Sequence, residues 1–205
     1  MKRLAIFGAG GHGKVVAEIA HLSGWSEIIF FDDNKKSSLS EKNIKNDLKM
    51  FISRLEEFDG CVVAIGDNQI RAKVIKQIIS RQSNNLVSLI HPSAIVSELS
   101  RLAAGSVVMA GSVINPYSTI GLGAIINTNS VVDHDNFIGD YVHISPGVSI
   151  AGNVEIGIGS WIGIGSSIIE NIKVGDDVLI GAGSVVIDNI PNKAIAYGVP
   201  AKIQT

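Results

Sequence analysis

The sequence predicts two architectures in one chain: a small α/β unit with a Rossmann-like parallel sheet, then a parallel β-helix with a short extended tail. Three observations predict this. A strand, a glycine-rich loop and a helix open the chain, an unbroken six-residue repeat fills the second half, and glycine and charge are unevenly divided. Residues 1–90 hold 7 glycines and 23 charged residues, whereas residues 91–205 hold 15 and 13. We expect domains at residues 1–90 and 91–190, and a tail at 191–205.

The composition excludes several classes of protein. Of 205 residues, 46% are hydrophobic but only 5% are aromatic, which favours a core of Ile, Val and Leu in strands. The net charge of −2 provides no positive field for nucleic acid. Cys61 is the single cysteine, so an internal disulfide is excluded. No apolar stretch approaches a membrane span, and Leu4–Phe7 is too short for a signal peptide. We expect a soluble cytoplasmic protein.

The first ninety residues alternate between strand and helix patterns. Apolar runs predict four strands, and apolar spacing predicts one helix that stops at Gly24 and another that ends near Arg81. The polar segment 35–49 is interpreted as a surface connection. This order implies a parallel sheet with crossover helices. The predicted strands are Leu4–Phe7, Ile28–Phe31, Cys61–Ile65 and Leu86–Ile90.

A glycine motif between the first strand and helix predicts a nucleotide site. Gly8, Gly10 and Gly13 fit G-x-G-x-x-G, in which glycines let the backbone approach a diphosphate at a helix N-terminus. Asp32 or Asp33 is placed to bind a ribose or a base. The alternative is a tight turn without a ligand. Because the segment supplies little more than one mononucleotide half, a mononucleotide or nucleotide sugar fits better than NAD.

The second half is a repeat. Sixteen aliphatic residues lie six apart from Val96 to Val186, small residues often stand two positions before them, and glycine recurs one position after them. This pattern fits one short strand and one tight corner per repeat. Three such sides close a triangular coil, and coils stack about 4.8 Å apart. The sequence therefore predicts a parallel β-helix of about five coils, followed by a turn at residues 190–193.

Polar residues cluster where the repeat expects few. His134 lies between Asp133 and Asp135, and His143 follows nine residues later. A histidine beside a carboxylate is a typical general base; the alternative is a corner histidine hydrogen-bonded at the surface. Nine residues are half a coil, so the two histidines are not expected on one face, and a shared site would lie between subunits. A zinc site with His91 would also need a second subunit. We expect no metal.

These motifs together resemble one family, the NeuD/PglD-type sugar acetyltransferases. The resemblance covers essentially the whole chain and is carried by the hexads and by six motifs. They are Gly8–Gly13, Phe31–Asp33, Ile65–Asn68, Val132–Asp135 with His143, Ala151–Val154 and Gly198–Lys202. It implies a left-handed β-helix, a homotrimer and acetyl-CoA as co-substrate.

The resemblance also implies residue roles. His134 would be the general base and Asp135 its polarising partner, with Asp133 as a possible substitute. His143 would lie near the acetyl group. The acetyl-CoA groove would be lined by Gly152, Ile164, Gly181 and Ala182, and the nucleotide sugar would be held by Gly10, Gly11, His12, Asp32, Asp33, Gly66 and Asn68.

The function expected from this resemblance is N-acetylation of a nucleotide-linked amino sugar for surface glycan synthesis, with a UDP-4-amino-4,6-dideoxy sugar as acceptor. dTDP-linked acceptors and O-acetylation of a sialic-acid-type sugar stay open. Two alternatives come from other classes. The glycine motif permits an NAD(P)-dependent oxidoreductase, and the regular hexads permit a non-catalytic β-solenoid binding module.

Overall fold

A computed structural model describes residues 1–33, 47–81 and 85–204. The chain divides into two compact units, Met1–Pro92 and Ser93–Thr205. None of the helices within the described ranges has the length and apolar character needed to cross a membrane.

The first unit is built on a parallel three-stranded sheet. Its elements are β1 (Arg3–Phe7), α1 (Gly11–Leu22), β2 (Glu27–Phe31), α2 (Leu48–Ser53), a 3₁₀ turn (Leu55–Glu57), β3 (Gly60–Val63) and α3 (Asn68–Ser80). The strand order is β2-β1-β3, with Ile6 of the central strand opposite Phe30 and Val62. The two crossover helices predicted from apolar spacing are present as α1 and α3, and Gly24 follows α1 with a φ of 88°.

Two features of this unit differ from expectation. Helix α2 begins inside the segment interpreted as a surface connection. The side chain of Asp47 caps its N-terminus. The ring of Phe51 packs against the core, with its centroid 5.2 Å from that of Phe7 and 5.3 Å from that of Phe31. Residues 34–46 of that segment lie outside the described ranges. The fourth predicted strand reduces to one parallel bridge between Leu86 and Cys61 and to the two-residue β4 (Leu89–Ile90).

The second unit is a parallel β-helix. Each of its sixteen hexad strands is two residues long and ends on the aliphatic residue that the repeat predicts. The strands are β5 (Ile95–Val96), β6 (Arg101–Leu102), β7 (Val107–Val108), β8 (Val113–Ile114), β9 (Thr119–Ile120), β10 (Ile125–Ile126), β11 (Val131–Val132), β12 (Phe137–Ile138), β13 (His143–Ile144), β14 (Ser149–Ile150), β15 (Glu155–Ile156), β16 (Trp161–Ile162), β17 (Ser167–Ile168), β18 (Lys173–Val174), β19 (Leu179–Ile180) and β20 (Val185–Val186).

Three sheets form the sides of the prism. Side 1 consists of β5, β8, β11, β14, β17 and β20, and side 2 of β6, β9, β12, β15 and β18. Side 3 contains β7, β10, β13, β16 and β19, followed by β21 (Ile195–Gly198). The chain turns a corner after every strand, so each corner can be named by the two sides that it joins.

The aliphatic residues fill the interior, and small polar residues hold the corners. The inward positions from Ile114 to Val186 are at most 2% exposed. Buried serines stand two positions before many of them and donate across coils, as when Ser112 Oγ bonds Asn127 O at 2.7 Å and Ser160 Oγ bonds Gly175 O at 2.7 Å. The serine hydroxyls therefore satisfy backbone carbonyl groups at the corners that the aliphatic interior could not hydrogen-bond.

The β-helix ends on a shortened coil. Earlier corner contacts join residues 18 apart, such as Ile158 N and Asp176 Oδ1, whereas Asn192 Oδ1 accepts from Asp176 N over 16 residues. The tail then adds β21 parallel to β19, and β22 (Ala201–Ile203) folds back antiparallel on β21. The tail predicted as extended is thus a hairpin that caps one side of the prism.

Candidate active site

A cavity of about 550 Å³ opens at the carboxyl ends of the three strands in the first unit. Parallel α/β sheets bind ligands at this edge. Of the seven residues predicted to hold a nucleotide sugar, the cavity is lined by Gly10, Gly11, His12, Asp32, Asp33 and Gly66. Asn68 is instead buried, and its Oδ1 accepts from Arg71 Nη2 at 2.7 Å.

The glycine loop is shaped by close backbone approach. Gly8 has a φ of 110°, and a Cβ there would lie 2.5 Å from the carbonyl oxygen of Ala64. A Cβ on Gly13 would collide with the carbonyl oxygen of Gly8. Glycine at these two positions therefore lets β1, β3 and the start of α1 converge, which brings the N-terminus of α1 to the cavity.

The two aspartates of the cavity already hold backbone groups. Asp32 Oδ2 accepts from Ala9 N at 2.7 Å, which ties the end of β2 to the glycine loop. Asp33 Oδ1 accepts from Leu48 N at 2.8 Å at the start of α2. Both residues line the cavity, so the carboxylates that position the glycine loop and the start of α2 also form part of the cavity wall.

His12 is a neutral imidazole in this cavity. Burial, with the positive charge of Arg71 as the smaller cause, lowers the pKa of His12 to about 4. Its Nε2 is buried and has no hydrogen-bond partner among the described residues. At neutral pH the ring therefore offers a ligand a hydrogen bond rather than a positive charge.

In the second unit, His134 and Asp135 form a hydrogen-bonded pair at the corner between sides 1 and 2. His134 Nδ1 lies 2.8 Å from Asp135 Oδ2, and the two side chains are 58% and 55% exposed. Asp135 adopts a left-handed φ of 59°, which Asp tolerates better than most residues. The hydrogen bond to Asp135 is the main cause that raises the pKa of His134, with a further contribution from the charge of Asp133.

Asp133 supports the backbone of the corner in addition to its charge effect on the imidazole. Its Oδ1 accepts from Asn115 Nδ2 at 2.7 Å and from His134 N at 2.8 Å, and these bonds lower its pKa. Asn136 occupies the position that serine takes elsewhere in the repeat, where its Nδ2 donates to Asp133 O at 2.7 Å and Ala151 O at 3.0 Å. Hydrogen bonds with Asp133 and Asn136 therefore hold the backbone that carries His134 and Asp135.

Gly152 lies directly against the imidazole. It is one coil further along the same corner, and a Cβ at this position would lie 2.5 Å from His134 Cε1 and 2.7 Å from Nε2. Any side chain there would displace the ring. Gly152 therefore contributes to the position of His134, a contact that the sequence did not predict.

His143 belongs to a different side of the prism. It begins β13 on side 3, where its ring is buried and stacks on Trp161 with centroids 5.0 Å apart. Asn127 Nδ2 lies 3.1 Å from His143 Nε2, and Trp161 Nε1 donates to Ser145 Oγ at 2.8 Å. His143 is thus held in one orientation, but not beside His134 of the same chain.

The predicted acetyl-CoA residues divide between two corners. Gly152 is at the corner of sides 1 and 2, whereas Ile164, Gly181 and Ala182 follow side 3 at the corner that joins it to side 1. Ile164 and Ala182 are exposed. Both corners border side 1, whose outward positions there are the small, exposed Ser149 and Ser167.

Sequence reasoning did not assign roles to Asn115, Asn127, Ser145 or Trp161. A usable signal existed, because residues 18 apart stack in this fold. Asn115 stands 18 residues before Asp133, and Trp161 follows His143 at the paired position of the next strand. Within the described ranges no three His, Cys, Asp or Glu side chains group as a metal site.

Both units are similar to known protein families. The family described as the PglD N-terminal domain matches residues 3–78, and the bacterial transferase hexapeptide family, with six repeats, matches residues 153–188. A UDP-N-acetylbacillosamine N-acetyltransferase from Bacillus subtilis is 37% identical over 114 residues, or 54% of this chain. That match spans only 52%, about half, of the length of the curated relative.

Several solved structures match over the whole chain. The acetyltransferase domain of PglB from Neisseria gonorrhoeae is 38% identical, with a TM-score of 0.93 and complete coverage of both chains. It has also been solved in complex with acetyl coenzyme A. PerB from Caulobacter crescentus, in complex with CoA and GDP-perosamine, is 39% identical with a TM-score of 0.92, covering 100% of this chain and 98% of PerB. The chain therefore belongs to the hexapeptide-repeat sugar acetyltransferase family that includes the PglB acetyltransferase domain and PerB.

Proposed function

We propose that this protein transfers the acetyl group of acetyl-CoA to the amine of a nucleotide-linked amino sugar. The observation that carries the proposal is the His134–Asp135 pair, an oriented base placed against a glycine at an open corner. Its relatives support the acceptor class, since one is a UDP-N-acetylbacillosamine N-acetyltransferase and another is bound to GDP-perosamine.

In this mechanism His134 is the general base. Asp135 engages Nδ1 and stabilises the imidazolium, which leaves Nε2 to accept a proton from the sugar amine. The amine nitrogen bonds to the thioester carbonyl carbon, and the C–S bond of acetyl-CoA then breaks. The thiolate of CoA takes up the proton that His134 holds. Positioning of amine, thioester and base suffices, and no residue needs to be acylated.

His143 is proposed to stabilise the oxyanion. Asn127 Nδ2 lies 3.1 Å from His143 Nε2 and fixes the rotation of the imidazole. Stacking on Trp161 holds the ring plane. A fixed donor of this kind stabilises the negative charge that develops on the thioester oxygen.

Acetyl-CoA is proposed to lie along side 1 near the C-terminal coils. The corners that carry Gly152 and Ile164 border that side, and Ser149 and Ser167 between them leave a shallow, uncharged surface. Gly181 and Ala182 extend the same edge by one coil. The nucleotide of the acceptor is proposed to occupy the 550 Å³ cavity of the first unit, with Asp32 and Asp33 towards its ribose or base.

We further propose that the transfer site forms between copies of the chain. Side 2 presents Arg101, Glu155 and Lys173 outward, whereas side 3 exposes Trp161, Leu179 and Ile195. An apolar side 3 packed on side 1 of the next copy would bring His143 towards the partner's His134 corner. Such a contact is heterologous, and a heterologous contact whose rotation closes forms a ring; the family resemblance implies a ring of three subunits.

Mixing two inactive variants tests this arrangement. His134→Ala and His143→Ala subunits, unfolded and refolded together in equal amounts, should regain about a quarter of wild-type activity, because about one interface in four then has both histidines. The same variants refolded separately serve as controls. If the mixture stays as inactive as the two separate variants, His134 and His143 do not act together in one site between copies.

The cytoplasm is the proposed location, because acetyl-CoA and nucleotide sugars are made there. Cys61 agrees with a reducing compartment, since it is a free thiol whose burial raises its pKa to about 12.

The acceptor is tested by release of free CoA thiol from acetyl-CoA. Amino sugars linked to UDP, dTDP, GDP and CMP should be compared with their hydroxyl analogues, and the UDP-4-amino-4,6-dideoxy sugar is expected to be turned over with the highest kcat/KM. Faster turnover of a sialic-acid-type hydroxyl sugar would favour O-acetylation instead. No thiol release with any acceptor, together with saturable binding of NAD(P)H, would overturn the proposal in favour of an oxidoreductase.

A further inference from the structure

Arg71 is a charged side chain with no exposure to solvent. It lies on α3 with a relative exposure of 0%, and burial lowers its pKa to about 10. Arginine is rarely buried to this extent, because removing its charge from water is costly unless hydrogen bonds compensate. The hydrogen bonds of its guanidinium therefore indicate its structural role.

Its guanidinium bonds the segment that follows β3. Nη1 donates to Ile65 O at 2.9 Å and to Gly66 O at 3.0 Å, while Nη2 donates to Asn68 Oδ1 at 2.7 Å. Three acceptors within four residues are thus held by one planar group. Lysine has a single nitrogen and cannot reproduce this fork.

The segment held by Arg71 is one wall of the nucleotide cavity. Ile65 and Gly66 line it, as do Ile70 and Lys73 at the start of α3. Because the guanidinium is buried, the two carbonyl oxygens that bond to it face the protein interior. A cavity for an anionic diphosphate benefits from this, since carbonyl oxygens turned towards the phosphates would repel them.

We propose that Arg71 is a positioning residue for nucleotide-sugar binding, which holds residues 65–68 in the conformation that forms the cavity wall. It acts through the backbone and does not contact the substrate. The inference rests on the proposed function for the identity of the ligand, whereas the link between Arg71 and the wall rests on the hydrogen bonds alone.

Steady-state kinetics test the proposal with Arg71→Lys and Arg71→Met. We expect the KM for the nucleotide sugar to rise about tenfold in the Lys variant and about a hundredfold in the Met variant. The kcat at saturation and the KM for acetyl-CoA should stay within about twofold of wild type. Ile78→Ala is the matched control, because Ile78 is buried on the same helix but does not line the cavity.

Two measurements on the ligand-free protein separate this role from general destabilisation. Hydrogen exchange of the amides of residues 64–70 should accelerate in both Arg71 variants but not in Ile78→Ala. The pKa of His12, followed by NMR with labelled histidine, should rise in Arg71→Met because the nearby positive charge is lost. Neither measurement requires a substrate.

Direct binding of UDP and GDP completes the test. Weaker binding to the Arg71 variants than to Ile78→Ala supports the proposal. It is overturned if Arg71→Met binds as the control does, if kcat falls while the KM is unchanged, or if wild type binds neither nucleotide. Failure of acetyl transfer alone, with nucleotide binding still dependent on Arg71, would refute the proposed function and leave the role of Arg71 standing.

Discussion

Two histidines in the two units have opposite environments. His12 lies in the cavity of the α/β unit, where burial and Arg71 lower its pKa to about 4. His134 stands at an open corner of the β-helix, where Asp135 raises its pKa. One ring is therefore kept neutral and the other is prepared to accept a proton.

The difference follows from the shapes of the two folds. A parallel sheet with helices creates a concave site within one chain, because loops from several strands surround its carboxyl edge. A β-helix fills its interior with aliphatic side chains, so its polar groups are left on a convex surface. The first fold can therefore enclose a ligand within one chain, whereas a site on the surface of the second is open to water until a ligand or another surface covers it.

The largest expected effect follows from removing His134, the proposed base. His134→Ala should lower kcat by roughly 10²–10⁴ with little change in acetyl-CoA binding, because general-base catalysis contributes about that much. Thiol release and calorimetric titration with acetyl-CoA measure the two quantities.

His21→Ala is the matched control, since His21 is an exposed histidine on α1 outside both sites. If His134→Ala keeps near-normal turnover, the corner pair is a surface hydrogen bond, and the contrast between the two histidines has no catalytic meaning.

A smaller effect is expected at Gly152, which has two possible roles: it contacts His134, and it is predicted to contact acetyl-CoA. Gly152→Ala should lower kcat about 10- to 100-fold, since displacing a catalytic group by about 1 Å costs that much. A change confined to the KM for acetyl-CoA would instead indicate only a cofactor contact.

A double-mutant cycle sharpens this prediction. In a His134→Ala background, Gly152→Ala should cause no further loss of kcat, because the ring that it displaces is absent. An additive loss would contradict the role of Gly152 in positioning the base.

The sequence predicted the strands of the repeat completely, but it predicted only some of the residues that form the cavity. A six-residue period fixes which residue faces inward, so the strand ends from Val96 to Val186 followed directly. The pair of His134 and Asp135 is adjacent in sequence and was visible for that reason. Arg71 was not, because an arginine at a helical position looks like a surface residue until the helix is packed.

Asp135→Asn separates the charge from the geometry of the corner. Asn also tolerates a left-handed φ, as Asn153 does one coil later with a φ of 56°. We expect kcat to fall roughly tenfold and the acid limb of its pH profile to move to lower pH. The sign follows because loss of the carboxylate lowers the pKa of His134, so the neutral base persists to lower pH.

Asp177→Asn controls for loss of an exposed carboxylate at a left-handed position, with a φ of 53°. It should leave the pH profile unchanged. A shift of the acid limb to higher pH in Asp135→Asn would show that Asp135 does not stabilise the imidazolium.

The smallest expected effect concerns the stability of the α/β unit in acid. Because His12 titrates near pH 4 in the folded state and near its ordinary value when unfolded, the unfolded state binds more protons between those values. The free energy of unfolding should therefore fall by roughly 3 kcal/mol as the pH drops from about 6.5 to about 4. His12→Gln should lose this component, with His21→Gln as control. The free energy of unfolding is measured at each pH by urea unfolding, followed by Trp25 fluorescence in a Trp161→Phe background. If it depends on pH in the same way in the wild type and in His12→Gln, the cavity does not hold the His12 ring neutral.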